Sequence, residues 1–350
     1  MSVSDAPTDI AVQELAAQDV ADWDRWVDAH DNATFYHLAG WRDVISQCFG
    51  RKSHYLVAKR AEHIVGVLPL VRLKSLLFGD FLVSMPYLSY GGVVAEDASV
   101  RDALLLRCAE LAQRLGVKHS ELRHVEDWID WPKRTEKVTM QLPLLGDSEA
   151  RWKALGAKRR SQIKRPLREG VDADVGGIEL VDDFYRVLSR KYRDLGTPVY
   201  PKAWFRAIAE RFPDNTKIFV VRMKGETVAA SMVVSYRGSL EVPYAASLRE
   251  VDRLGVNMFL YWTMVKYAED NDYRVFDFGR STVDSGTYKF KKQWGAEPVP
   301  LYWHYWLRDG GDVPVLNTSN PKYELLINTW RRLPVWVTTL VGPRIVRNLP

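Results

Sequence analysis

Two stretches of the chain carry the same order of apolar run, polar turn and apolar run. Leu56–Val71 and Val220–Ser235 each read as a β-hairpin. Glu62 in the first turn maps onto Glu226 in the second, 164 positions on, and Trp41 upstream maps onto Trp204, 163 positions on. Two matches at nearly one offset predict an internal repeat. Beyond each hairpin an amphipathic helix is expected. Its apolar stripe is Leu104, Cys108, Leu111, Ala112 and Leu115 in the first half, stopping near Gly116. In the second half it is Phe259, Leu260, Thr263, Met264, Tyr267 and Ala268, stopping near Asn271 and Asp272. Strands follow at 120–125 and 273–278, so each half is a hairpin plus a βαβ unit.

A boundary is expected near Gly146–Arg151, where a strand ends at Leu142-Pro-Leu and Asp147 or Ser148 can cap a helix. The predicted domains are residues 1–147 and 148–305. A tail, residues 306–350, leads from the aromatic strand Leu301–Leu307 through a turn region, Gly310–Asn320, to a helix beginning near Pro321. That helix is expected to return to the first domain.

With 350 residues, 47% apolar and 27% charged, the chain can bury the cores of two domains, which excludes disordered, collagen-like and disulfide-scaffold classes. The surplus of +5 suits an anionic substrate and falls short of a nucleic-acid-coating protein, so no DNA partner is expected. Cys48 and Cys108 alone build neither a disulfide framework nor a four-thiolate zinc site, and a reducing, cytoplasmic location follows. The first twenty residues, with Asp5, Asp9, Glu14 and Asp19, do not read as a secretory signal. Asp80 interrupts the best apolar stretch, Leu76–Val94, and no transmembrane helix is predicted.

Phosphate-loop, dinucleotide, nucleophile-elbow and His-Glu-x-x-His signatures are missing, and Ser161-Gln-Ile-Lys164 lacks the companions that give Ser-x-x-Lys meaning. Candidate chemistry lies in three places. The run Lys158–Arg168 holds six basic residues and no acid, a phosphate clamp or a solvated helix face. Phe276–Gly295 ends a strand at Gly279 and then gathers carboxylates, cations, hydroxyls and rings in one Gly-punctuated loop. In it Asp277 is a turn cap or a base, and Phe290 and Trp294 are core or ligand platform. Lys289 and Lys291 share a face if the segment is extended. Finally, the loop Leu248–Asn257 places Arg249 and Arg253 at a helix start, suited to a phosphate or carboxylate, although capping accounts for Asn257 equally well.

These residues resemble the Fem-type (FemAB-like) aminoacyl and acyl transferases, and look most like the subgroup associated with exosortase/PEP-CTERM and exopolysaccharide systems of Gram-negative bacteria. The matching stretches are Thr34–Trp41, Ser84–Gly92, Lys158–Arg165, Leu195–Pro198, Gly225–Ser231 and Phe276–Gly295, nearly the length of the chain. The resemblance implies an α/β (α+β) fold of two tandem GNAT-like domains with mixed sheets. It implies attack of an acceptor amine on an activated acyl carbonyl. Lys291 would then stabilise the developing charge, with Phe290 a wall of the acyl channel and Asp277 at the site. Lys158, Arg159, Lys164, Arg165, Tyr244, Arg280, Ser281, Tyr288, Lys289 and Trp294 would bind substrate, and Arg249, Arg253 and Gly255 the phosphate of the donor. No metal or tightly bound cofactor is implied; the donor is a co-substrate, an aminoacyl-tRNA, an acyl-CoA or an acyl carrier protein thioester. The sequence lacks a long heptad arm for tRNA, and its CoA loop is reduced to Arg253-Leu-Gly255. The proton acceptor is open among Asp277, Asp284 and water.

The expected function is amide formation on an amine of a cell-envelope or exopolysaccharide precursor, peptidoglycan-like, anionic and free or lipid-linked. One alternative is a degenerate, non-catalytic relative that binds an anionic glycan or a partner in polysaccharide assembly. A second is an acetyl-CoA-dependent sugar acetyltransferase, for which His37 is the spare base. From Lys322 to Pro350 five basic residues face one acid, interleaved with Trp330 and Trp336, which suggests either a peripheral contact with the inner face of the cytoplasmic membrane or a docked helix with a basic side.

Overall fold

The computed structural model describes residues 10–75, 78–314 and 321–349, with the side chains of 321–323 left aside. The N-terminal acids Asp5 and Asp9, part of the Gly310–Asn320 turn, the Lys322 side chain and Pro350 lie outside the described residues. The chain runs β1 (Ile10–Glu14), α1 (Val20–Ala29), α2 (Gly40–Phe49), β2 (Ser53–Arg60), β3 (His63–Ser75), β4 (Gly79–Val83), β5 (Val94–Ala95), α3 (Ala98–Leu115), β6 (His119–His124) and β7 (Lys133–Arg134). It continues with β8 (Lys137–Pro143), α4 (Ser148–Ala154), α5 (Ala157–Leu167), β9 (Val171–Gly176), α6 (Val181–Leu195), α7 (Lys202–Arg211), β10 (Thr216–Met223), β11 (Glu226–Tyr236) and β12 (Ser239–Ser247). Then follow a 3-10 turn (Arg249–Leu254), α8 (Val256–Asp270), β13 (Val275–Thr282), α9 (Gly286–Lys292), β14 (Glu297–Pro300), β15 (Tyr302–Leu307), α10 (Pro321–Arg332) and α11 (Val335–Val346).

Two compact units result, each around its own mixed sheet. Among the described residues the first sheet has the order β1-β2-β3-β4-β6-β15-β7 with β5 beside β3, and the second β14-β8-β13-β12-β11-β10-β9. The repeat is visible in detail. The antiparallel pair β2/β3 has its register shift between Ala58 and Lys59, and β10/β11 has one between Val221 and Arg222, 163 positions on. The turns match as well, with left-handed Ala61 in one and Lys224-Gly225 in the other. In each unit the next strand pairs in parallel with the strand after the helix, β4 with β6 and β12 with β13.

The cores follow the stripes. Leu104, Cys108 and Leu111 of α3 pack with Leu56, Leu68 and Leu82, while Leu260, Met264 and Val265 of α8 pack with Phe219, Val233, Leu240 and Phe276. Asp97 caps α3, its carboxylate accepting from the Val100 N–H at 3.0 Å, and left-handed Gly116 ends the helix. Asp147 caps α4 by accepting from the Glu149 N–H.

The path of the chain between units differs from expectation. The strand at 137–143 joins the second sheet, so the units are residues 10–137 with 300–314 and 348–349, and residues 138–299 with 321–347. β15 returns to the first unit, where it pairs antiparallel with β6. The C-terminal helices do not: α10 and α11 both pack on α6 in the second unit. The aromatic strand supplies Tyr305, with 2% of its surface exposed, to the first unit, whereas the helices find their small-residue seat on α6 and the loop after it. Among the described residues no helix is long and apolar enough to cross a membrane.

Candidate active site

In the second unit the parallel ladder of β12 and β13 is short. It pairs Ser239 with Val275, Leu240 with Phe276 and Glu241 with Asp277, then stops, although both strands run on. Gly279 lies just beyond that last rung with φ +75°, and a Cβ there would stand 2.9 Å from the Val242 carbonyl oxygen, so only glycine fits. Into this end of the ladder reaches Lys291 of α9. Its Nζ donates to the carbonyl oxygens of Gly279 at 2.8 Å and Arg280 at 2.9 Å. An ammonium has three donors, and these two bonds use two of them.

Lys291 is 7% exposed, and burial pulls its pKa down from 10.5 to about 8; Asp277 and Glu241 oppose the shift, and Arg280 adds slightly to it. Glu241 and Asp277 are partners on the last rung of the ladder. Asp277 is held by three donors: Thr139 Oγ1, Gln141 Nε2 at 3.3 Å and the Gly279 N–H at 2.7 Å. These bonds fix the carboxylate beside the Gly279 turn, a negative charge acting on Lys291. Ser281, 4% exposed, has a buried hydroxyl with no hydrogen-bond partner among the described residues. Such a group costs about 1–3 kcal/mol until something pairs with it.

Arg280 lies close enough to Tyr192 of α6 and Tyr244 of β12 to act on both phenols, whose pKa values burial raises. Tyr244 also accepts a hydrogen bond from Trp204 Nε1 at 3.1 Å and packs edge-on against Phe205 and Tyr200. The structure therefore gathers Lys291, Asp277, Arg280 and Tyr244 with Trp204, known from the sequence only as a repeat position, and with Thr139, Gln141, Tyr192 and Glu241, which the sequence did not single out. Only the Thr139/Gln141 pair left a trace there, as polar residues at alternate positions of an otherwise apolar strand.

Other expectations change. Residues 286–292 form a helix capped by Ser285, so Lys289 and Lys291 do not share a face: Lys289 is exposed and Lys291 buried. Phe290 and Trp294 belong to an aromatic cluster with Tyr261 and Phe278, Phe290 half-buried with its ring 5.0 Å from that of Tyr261. The ring expected to line an acyl channel thus packs on this cluster and stays partly exposed. Tyr288 is half-buried beneath the Lys292 ammonium. Lys158, Arg159, Lys164 and Arg165 all lie on α5, whose buried contacts are Ile163 and Pro166; Lys164 sits over the Trp152 ring.

The expected phosphate cradle is narrower than its sequence suggests. Arg249 donates to the Asp194 carbonyl at the end of α6, Arg253 is exposed, and Gly255 faces α5, where a Cβ would lie 3.0 Å from the Gln162 carbonyl oxygen. Asn257 makes no side-chain cap. In the first unit His37 is a core histidine. The Thr34 N–H donates to its Nδ1, its Nε2 bonds the Gly92 carbonyl, and burial lowers its pKa to about 4. With both nitrogens engaged it offers no base for a sugar hydroxyl.

The acetyltransferase (GNAT) domain family matches residues 157–292, which contain α5 through α9. A UDP-N-acetylmuramoylpentapeptide-lysine N(6)-alanyltransferase of Weissella viridescens is 23% identical over 159 residues, 44% of this chain; the match spans about half of that relative's length, 47%. The crystal structure of FemX superposes with a TM-score of 0.63 at 14% identity, covering 91% of this chain and 100% of that one. A tandem GNAT protein from the clavulanic acid biosynthesis pathway superposes with a TM-score of 0.56 at 13% identity, covering 87% and 100%. The repeated hairpin, the two parallel strand pairs and these likenesses agree: the chain has a FemAB-like fold, two GNAT-like units in tandem.

Proposed function

We propose that this protein is an amide-forming acyltransferase whose chemistry takes place at the end of the β12/β13 ladder, with Lys291 as its electrostatic centre. The observation that carries the reading is a buried ammonium with two donors anchored on backbone carbonyls and a third left over. An acceptor amine attacks the acyl carbonyl carbon, and the C=O π pair moves onto oxygen. Collapse of that oxyanion forms the amide and expels the thiolate or hydroxyl oxygen of the donor, while the proton of the attacking amine passes to water or to the leaving group. The remaining Lys291 N–H serves the developing negative charge, a contribution of about 10²–10³ in rate for one well-placed donor. Ser281 Oγ is a second group available to the substrate. Arg280, held beside Tyr192 and Tyr244, orients its anionic part, and the exposed cations of α5 and Lys289 draw it in.

The acceptor is an amine of an anionic cell-envelope or exopolysaccharide precursor. The amine is supported by the alanyltransferase likeness, and the exosortase-associated polysaccharide setting by the matching sequence stretches. For the donor we favour an aminoacyl ester or a carrier-protein thioester over CoA, because the Gln162 carbonyl dipole stands against Gly255 where a pyrophosphate has to approach the backbone. No tightly bound cofactor enters, and the reaction belongs to the cytoplasm.

The test is native mass spectrometry of the protein with acetyl-CoA, an acyl carrier thioester and charged aminoacyl-tRNA in turn, followed by transfer to a model amine with the retained donor. Transfer that Lys291→Met abolishes supports the reading, and unchanged transfer in that variant sinks the site. A retained ligand without turnover points to the non-catalytic relative instead.

A further inference from the structure

Helix α11 carries its small and polar residues inside and its large apolar ones outside. Thr338, Gly342 and Val346, four apart, form its buried line, and Gly342 lets it lie on the chain at Val199, where a Cβ would stand 3.0 Å from the backbone N and O. On the outer side Trp336, Leu340 and Arg344 repeat the same spacing, with Trp336 69% and Leu340 58% exposed. Helix α10 does likewise. Ile327 packs on Gly196 at the end of α6, while Leu325 at 70% and Leu326 at 63% face solvent and Arg332 closes the helix, also exposed. Four of the ten exposed large apolar side chains among the described residues thus sit on these two helices, both packed on α6, and their outer sides are the candidate interaction surface.

We propose that this surface binds an anionic lipid bilayer. Its charge is one-sided: between residues 324 and 347 stand Arg331, Arg332, Arg344 and Arg347 against Glu324 alone. Arginine beside tryptophan and leucine on short helices suits the boundary of headgroups and acyl chains, with the apolar side chains a few ångströms deep and the guanidinium groups among phosphates. A second copy of the chain suits it poorly, since a two-fold contact through the same patch sets like-charged arginines opposite one another. The inference is independent of the transfer chemistry proposed above, because no residue of the β12/β13 site takes part.

Co-sedimentation of the full chain with phosphatidylglycerol/phosphatidylcholine vesicles, and with phosphatidylcholine alone, tests it. The expected result is binding to the anionic vesicles at about 50 mM salt, release at about 500 mM, and little binding to neutral ones. Trp336→Ser with Leu340→Ser is expected to weaken the partition by about ten-fold or more, and Arg332→Gln by about five-fold. Leu325→Ser on α10 is an independent variant should the double change disturb α11, as a shifted melting temperature would reveal. Three results overturn the proposal: no binding to anionic vesicles at low salt, binding that none of these variants alters, or a concentration-dependent dimer in light scattering that the double variant dissolves.

Discussion

The two units end their parallel ladders in matching fashion, Val83 opposite Glu121 in the first and Glu241 opposite Asp277 in the second, and then diverge. In the first unit the protein fills the place beyond with its own chain. Residues 84–92 are buried there, with Met85 and Tyr87 in left-handed conformation. Arg123 is locked in a buried ion pair: it donates to Glu121 at 2.8 Å and to the Leu88 carbonyl at 2.6 Å, and lies 4.5 Å beneath the Trp303 ring. Glu121 in turn accepts from the Tyr305 hydroxyl at 2.9 Å. The cavity left beside His37, His124 and Arg123 is about 20 Å³, room for about one water. In the second unit a lysine takes the comparable place, its ammonium bound by two carbonyls and its neighbouring Ser281 hydroxyl unpaired. A cation locked in a buried ion pair serves stability, whereas a buried ammonium anchored on backbone carbonyls is the more available for chemistry. The duplicated architecture thus carries two differently built versions of the same place.

The comparison breaks first at its cations. Lys291→Met is expected to lower transfer by about 10²–10³-fold, measured as amide formation with the retained donor, and to leave the first unit folded. Arg123→Met is expected to do the reverse. It strands the Glu121 carboxylate in the interior and costs about 3–5 kcal/mol in denaturant unfolding, without touching the β12/β13 site.

A pH series sharpens the contrast. Folded Lys291 holds its proton only to about pH 8 against 10.5 for the free side chain, so over that interval the unfolded chain binds more protons and stability rises with pH. Activity that needs the ammonium falls over the same interval. Opposite slopes in wild type, read as the difference from Lys291→Met for stability and as transfer rate for activity, are the expected signature. Parallel slopes would refute it. Asp277→Asn has the smallest expected effect. It removes the leading charge that supports the ammonium, so the falling limb of the activity profile moves to lower pH while the fold loses only about 1–3 kcal/mol.

Much of this architecture was legible before folding. Hairpin grammar at a 163–164 spacing identified the duplication because β-strand alternation and left-handed turn residues are local requirements, and the stripes of α3 and α8 are likewise properties of a 3.6-residue period. The hot region 276–295 was legible as a gathering of chemistry, and Lys291 stood out within it. Its local geometry was misread: extended and helical segments differ in which neighbours share a face, and Ser285 capping a seven-residue helix was enough to separate Lys289 from Lys291.

Period, turn chemistry and composition alone thus specify two α/β halves, their cores and a cationic strand end. Tertiary structure alone decided the rest. Thr139 and Gln141 meet Asp277 across nearly 140 residues of chain, and β15 joins the first sheet while the helices after it stay with the second. Nor does any local pattern distinguish an Arg123 ion-paired with Glu121 from a Lys291 anchored on two carbonyls. Pairing, desolvation and the charges of neighbouring strands are sums over the whole fold, and they exist only once distant segments have been brought together.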